Sequence, residues 1–400
     1  MSNAFTPQLR FGFDPVWISL AVLTLTYAAV IAGRFNRAVV ALIGAAVVVM
    51  LGVLDESEAI KGIDWDTIGL LTGMMILVSI SRRSGLIQYL AVWSAQRVKA
   101  SPAGILLMLQ IGTALISAVL NNISTVLLIV PVTLVIAEEL ELPPFPFLFA
   151  EIFAANIGGT ATLIGDPPNI MIGSRVGLDF NAFIVNVAPV AVVILAVQAA
   201  IVHFIWGRAL TASPESRTLV MGMNARGMIN DWSLLRRSAP VIGAVLIAFV
   251  FAGPLKLEPA TITLGAAAVL MLLDNWRHPG GKEADRVQQT FADVEWSTIF
   301  FFIGLFVVVH AVEVSGVLKT VAEKFLALTG GRIATAGSLI LWMSAILSAI
   351  VDNIPFVATM IPLIKNMGGT YGGPAAIEPL WWSVVGRLPR RQRHAGRRLG

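Results

Sequence analysis

The stretch "AANIGGTATLIGDPPNIMIG", Ala154–Gly173, sets four glycines, two threonines, an aspartate and two adjacent prolines among apolar residues. Gly and Pro disfavour a helix interior by about 1 and about 3 kcal/mol relative to Ala. Phe147–Ile157 on one side and Ile170–Gly173 on the other read as helix, so the segment reads as a helix broken in its middle. Gly158, Gly159 and Gly165 allow unwound backbone. Pro167 and Pro168 remove two amide donors and leave carbonyls bare. Bare carbonyls suit Na⁺, while free N–H groups at the start of the second half suit an anion. Thr160 and Thr162 add hydroxyls, and Asp166 adds one full charge. A carboxylate in a bilayer is costly unless it binds a cation or a proton. Glycines kept for packing alone would leave Asp166 without a reason.

The break matters because the surrounding chain is built for lipid. Of 400 residues, 56% are hydrophobic and only 13% charged, with mean hydropathy +0.81. Apolar runs recur at Trp17–Gly33, Ala38–Leu54, Asn181–Trp206, Ser238–Gly253, Thr261–Leu273 and Thr298–Ser315. A helix needs roughly 20 such residues to cross ~30 Å of hydrocarbon. Repeated runs joined by short charged loops give an all-α polytopic membrane protein. The first run has no A-x-A-like cleavage site, so it is expected to span and not to be removed as a signal peptide. The chain has no cysteine. Disulfides, thiolate metal sites and thiol catalysis are thereby excluded.

The net charge of +4 hides a split, because six arginines lie in the last fourteen residues. No nucleic-acid-binding motif accompanies them. The expected partners are the lipid bilayer and a small inorganic or organic ion, with no nucleic acid; a homodimer is compatible with such a chain. No cofactor is expected beyond Na⁺ or H⁺ as a coupling ion.

Shifted by 231 residues, Trp65–Pro131 aligns with Trp296–Pro362 without a gap, and 16 of 67 positions are identical. The closest pieces are "SAVLNNI" (Ser117–Ile123) and "SAIVDNI" (Ser348–Ile354). That agreement exceeds what two hydrophobic chains share by composition and marks an internal duplication. Loop charge sets orientation. With Arg34–Arg37, Arg82–Lys99, Arg208–Arg237 and Arg277–Arg286 on the cytoplasmic side, that side holds 14 Lys and Arg against 8 outside, the basic tail apart. The chain then crosses an odd number of times between Trp65 and Trp296, so the repeats are inverted. The expected organisation is an N-terminal tail (1–16), a first inverted repeat (17–206), a cytoplasmic linker (207–237), a second repeat (238–382) and an aberrant basic tail (383–400). Inverted repeats in secondary transporters place a site near the midplane, between them.

Pro102–Leu120, "NNIST" and Thr125–Glu138 read as a re-entrant hairpin, because a second arm of about 14 residues rises only ~21 Å. Its twin is Ile333–Val351, "DNI" and Pro355–Met367. Asn121 and Asn122 could simply bond between packed helices. Their recurrence as Asp352 and Asn353 at the symmetric place favours a site.

"DWDTIGLLTGMMI" (Asp64–Ile76), "SAVLNNISTVLLIVPVTLVIAEEL" (Ser117–Leu140) and "ANIGGTATLIGDPPNIMIG" (Ala155–Gly173) resemble the ion transporter superfamily, over residues 10–382 or so. The nearest branch is that of the arsenite-efflux and pink-eyed-dilution-type permeases. Sodium/dicarboxylate symporters and a group of Na⁺/H⁺ antiporters are more distant. In the symporters a hairpin tip faces a broken helix and the two form a sodium site. Carried over, the resemblance puts Asn121, Asn122, Ser124 and Thr125 on one wall and Gly159, Thr160, Thr162, Asp166 and Asn169 on the other. Na⁺ would be held at Asn122, Thr160 and Asp166, and Asp352 and Asn353 would begin a second site. Many relatives carry Asp-Asn where this chain carries Asn121-Asn122.

After Trp382 the family would present a second broken helix, but here stands "SVVGRLPRRQRHAGRRLG", which cannot span. Back-translated with allowed codons and shifted by one base, Val384–Leu399 can read "LSGACLGGNATLVGAS", a parallel to "IGGTATLIGDP". The expectation is a frameshift that truncates the second repeat, leaving about eight crossings and two hairpins.

The function these features favour is a secondary-active ion transporter, arsenite- or anion-permease-like, coupled to H⁺ or Na⁺ and working by alternating access. A Na⁺/H⁺ antiporter or dicarboxylate/sodium symporter is the alternative. Because Asp166 disfavours a dianion at the first site, the balance leans towards neutral arsenite or cation exchange. An intramembrane aspartyl protease using Asp166 and Asp352 is a remote alternative, since "LIGD" lacks the Gly-x-Gly-Asp pattern. A channel is disfavoured because nothing forms a filter ring. No enzyme activity is expected. His310 and Glu313, spaced i and i+3, could relay protons or form a packed polar contact. The expected location is a bacterial inner membrane.

Overall fold

The computed structural model describes Gly12, residues 14–275, 282–330, 332–348 and 353–371. Asp352 and the basic tail lie outside the described residues. The chain begins with α1 (Pro15–Ala32), α2 (Arg37–Met50) and the short α3 (Glu56–Gly62), followed by α4 (Trp65–Arg82) and α5 (Leu86–Arg97). Next come α6 (Pro102–Ser117), α7 (Asn122–Glu139), α8 (Phe145–Thr160), α9 (Pro167–Val176), α10 (Phe180–Asn186) and α11 (Ala188–Val202), which runs into a π-helical turn, His203–Gly207. After α12 (Pro214–Gly222) stand α13 (Trp232–Leu255), α14 (Pro259–Asn275) and α15 (Lys282–Ala292). Then follow α16 (Trp296–Val314), α17 (Val317–Thr329), α18 (Ile333–Ser348) and α19 (Asn353–Tyr371). There is no strand among the described residues.

Five of these helices are long and apolar enough to cross a membrane: α1, α7, α11 with its π-helical turn, α13 and α16. The bent pairs α3–α4 and α17–α18 would bring the number to seven. The protein is an all-helical, multi-pass integral membrane protein.

The pairs α4 and α16, α5 and α17, α6 and α18, and α7 and α19 each begin 231 residues apart. Gly85 and Gly316 both take left-handed backbone, φ 80° and 83°, ahead of α5 and α17. Pro131 and Pro362 stand inside α7 and α19.

The chain forms two compact units, residues up to 63 with those from 300 on, and residues 64–299. In the first unit α2 lies against α16 so closely that a Cβ on Gly304 would stand 2.5 Å from the Ala41 carbonyl carbon. Val22, Val48, Leu54, Val308 and Ala311 form its core. The Ser19 hydroxyl donates to Ala311 O at 3.2 Å, and the Tyr27 hydroxyl to Pro355 O at 2.7 Å.

In the second unit α4 and α14 run side by side, and a Cβ on Gly73 would stand 2.7 Å from the Thr263 carbonyl carbon. The charges sit at the two ends of α4. At one end Arg83 lies 3.7 Å from Asp274 and 3.6 Å from Asp293, and Arg286 lies 3.1 Å from Asp274. These arginines belong to the segments that loop charge assigns to the cytoplasm. At the other end Asp64 Oδ2 accepts from Arg175 Nε at 3.1 Å, and Asp64 Oδ1 accepts from the Ser174 hydroxyl at 2.8 Å. Eighteen helical residues lie between the two clusters. At helical rise that is ~27 Å, close to the thickness of the hydrocarbon core.

Candidate functional site

The second unit carries both the hairpin and the broken helix. Ser101 precedes α6 and Pro102 opens it, a position where proline removes no helical bond. After Ser117 the chain turns through residues 118–121. Asn121 takes extended backbone and caps α7, its Oδ1 accepting from Ser124 N at 2.7 Å. Asn is among the best residues for this position, worth ~1 kcal/mol. Thr125, fully buried, donates its hydroxyl to Asn121 O at 2.9 Å. The cap lengthens the second arm. Thr125–Glu138 was expected to be too short to span, whereas α7 extends over 18 residues from Asn122 to Glu139.

The tip of this hairpin meets the broken helix at four points. Ser117 Oγ donates to Ala155 O at 2.6 Å, Asn122 Nδ2 to Asn156 Oδ1 at 2.9 Å, and Thr162 Oγ1 to Ala118 O at 2.5 Å. The fourth is a bare contact, since a Cβ on Gly158 would lie 2.1 Å from Ala114 O. Beyond the break, the ten residues of α9 carry the chain onward to Arg175 and its bond with Asp64. At helical rise that is ~15 Å.

Asn169 closes the break from the α9 side. Only 4% exposed, it directs one amide nitrogen at three carbonyls: Thr162 O at 2.8 Å, Thr160 O at 3.1 Å and Gly159 O at 3.4 Å. Three acceptors converge on one point, which is the geometry an oxygen-ligated cation also uses. The Thr160 hydroxyl turns back to Asn156 O at 2.9 Å.

The backbone is non-helical over residues 161–166, which include Gly165, yet none of Gly158, Gly159 and Gly165 has positive φ. Their role is close approach: a Cβ on Gly165 would lie 2.5 Å from Gly159 O and 2.8 Å from Ser117 O. One expectation does need correction: the start of α9 was expected to offer free N–H groups to an anion. Its first two residues are prolines without an N–H, and the next two amides, of Asn169 and Ile170, both bond Asp166 O, at 3.0 and 3.3 Å. This helix start has no donor left for an anion. Asp166 itself is half-buried in extended backbone at the N-cap position.

Asn121, Asn122, Ser124 and Thr125 thus stand at the hairpin tip and Gly159, Thr160, Thr162, Asp166 and Asn169 at the break, and of these Asn122 and Thr162 bond across from one to the other. Sequence reasoning missed Ser117 and Asn156, which join the two walls. Asn156 carried a signal, for it stands four residues before Thr160 inside an apolar half-helix. Asn353 opens α19 as Asn122 opens α7. His310 lies in the first unit, its Nδ1 3.4 Å from Glu313 Oε2 and its Nε2 3.6 Å from Glu58 Oε2. Glu58 also pairs with Lys61 at 2.6 Å. In α3, ahead of the α4 span, this lysine and then His310 hold the Glu58 carboxyl below the usual carboxylate range.

A family profile described as citrate transporter matches residues 27–385. An uncharacterized transporter of Mycobacterium tuberculosis is 38% identical, over 92% of this chain and 84% of its own length. The magnetosome protein MamN of Magnetospirillum gryphiswaldense is 31% identical, over 92% of this chain and 83% of its own. The P protein of Sus scrofa is 30% identical, over 88% of this chain and 50% of its own.

Proposed function

This chain belongs to the citrate transporter family, and we propose that it is a secondary-active ion transporter whose hairpin tip and helix break hold the coupling cation. The observation that carries this reading is the convergence of the Gly159, Thr160 and Thr162 carbonyls on one point, the Asn169 amide nitrogen, three residues along the chain from Asp166. Carbonyl oxygens and a carboxylate replace the hydration of Na⁺, or the carboxylate takes H⁺. Asn169 supplies a neutral donor to the same carbonyls; when its amide turns away, they are open to a cation.

Coupling then follows from differential binding. Two arrangements of the hairpin tip against the break, with different affinity for the cation, would alternate access between the two sides. The hairpin is taken as re-entrant, because its tip meets the break and not the end where Asp64 holds α9. The transported partner would be a small ion such as citrate or a neutral hydroxylated species such as arsenite. A Na⁺/H⁺ exchanger is the second reading, favoured by the lack of amide donors at the start of α9.

The test is flux in proteoliposomes, with citrate, arsenite, Na⁺ and chloride offered singly under imposed Na⁺ or pH gradients. One gradient should accelerate one solute with saturation. Asp166→Asn and Asn122→Ala should each reduce that flux at least tenfold. Flux that ignores both gradients and both substitutions would remove the proposed cation site.

A further inference from the structure

Glu151 stands in the middle of α8 with none of its surface exposed. Its Oε1 accepts from the Thr133 hydroxyl at 2.5 Å, while Oε2 has no hydrogen-bond partner among the described residues. Within this unit α8 packs against α6, α7 and α11. Neither α6 nor α11 carries a titratable side chain, and α7 carries only Glu138 and Glu139, at its far end. Trp206 of the π-helical turn touches Phe145 and Phe149 of α8; the nearby His203 is exposed, and Arg208 lies over Phe204. No cationic side chain of these elements compensates Glu151.

A buried carboxylate holding a single hydrogen bond from a neutral hydroxyl is strongly disfavoured. The neutral acid is not, provided its own O–H finds an acceptor. The helix alongside supplies candidates. Gln110 Oε1 and Thr113 Oγ1 on α6 are buried and lack partners among the described residues. Both stand on the α6 helix that packs against α8, and the Ser117 hydroxyl of α6 bonds Ala155 O of α8. An acid with one unpartnered oxygen thus lies on a helix packed against another that holds an unpartnered amide oxygen and hydroxyl.

We propose that Glu151 is a proton-binding site, separate from the hairpin tip and the helix break. Its carboxyl takes one proton from water and keeps it at neutral pH; Thr133 donates to one oxygen, and the O–H on the other is offered to the α6 acceptors. Release returns the proton to water and leaves the carboxylate. The inference stands on burial and bonding and does not require the transport reading.

Infrared spectra of the full chain in lipid nanodiscs test it. At neutral pH a carboxylic acid C=O band should be present, should shift in D₂O, and should be lost in Glu151→Gln. Thr133→Val, which removes the hydrogen bond to that carbonyl, should move the band to higher frequency. The second variant decides the matter should the first fail to fold. A spectrum unchanged by both substitutions overturns the proposal. So does a band that disappears when NaCl replaces choline chloride at fixed pH, because the carboxylate would then be a Na⁺ ligand.

Discussion

Asn122 donates its side-chain amide to Asn156 Oδ1 at 2.9 Å and so ties the first residue of α7 to the last turn of α8. Each partner is secured locally, Asn122 Oδ1 accepting from Ile123 N and Asn156 Nδ2 donating to Ile152 O. The bond therefore reports whether the hairpin tip and the broken helix are engaged. Asn122→Ala and Asn156→Ala should each destabilise the protein by ~1 kcal/mol, and the double variant by less than the sum. Unfolding of the four proteins in one detergent completes the cycle; strict additivity would mean that the two side chains do not interact.

Gly158 separates packing from backbone freedom. A Cβ there would meet the Ala114 backbone at 2.1 Å, whereas one on Gly112 would meet nothing within 4 Å. Gly158→Ala should cost about 1–3 kcal/mol by overpacking. Gly112→Ala should be neutral or mildly stabilising, because Ala is the better helix former. Melting temperatures of the two variants against the parent check the contrast.

Arg175 anchors the far end of α9 to Asp64, whose carboxylate also caps α4 through Thr67 N at 3.1 Å and accepts from Ser174. Arg175→Met removes one charged partner, and Asp64→Ala removes three bonds and leaves Arg175 without this carboxylate. Losses of ~1–3 kcal/mol are expected for the first and more for the second. Denaturant midpoints should rank parent, Arg175→Met, Asp64→Ala; the reverse order for the two variants would place the burden on Arg175.

Asn169 provides a donor to the carbonyls of Gly159, Thr160 and Thr162. Asn169→Leu, similar in size but without that donor, should cost about 1–3 kcal/mol because buried acceptors lose their partner. Asn169→Asp sets an oxygen against three carbonyl oxygens, so its stability should rise with Na⁺ relative to choline. Thermal melts in the two salts at equal ionic strength read the difference, and no salt selectivity would count against a cation at that point.

Much of the site could be read from polarity alone. A charge, two threonines and two prolines inside an apolar run have few roles in a membrane other than breaking a helix, and the asparagines at the hairpin tip stand out in the same way. Side-chain direction could not be read. Whether Pro167 and Pro168 free a set of amides or eliminate one depended on where α9 begins, and the structure has Asp166 O take the next two. Glu151 escaped notice because its significance lies in what α6 and α11 fail to offer it, which no local window contains.

The sequence by itself determined that this is a multi-pass helical protein, and four pairs of its helices begin 231 residues apart. It could not determine which helices stand together. In space α4 packs on α14 and α16 packs on α2, partners that stand far apart along the chain. The reason is physical. In lipid one apolar helix face is as well solvated as another, so hydrophobicity does not choose partners. Close backbone approach does, and Gly73 against Thr263 and Gly304 against Ala41 are where the choice was made.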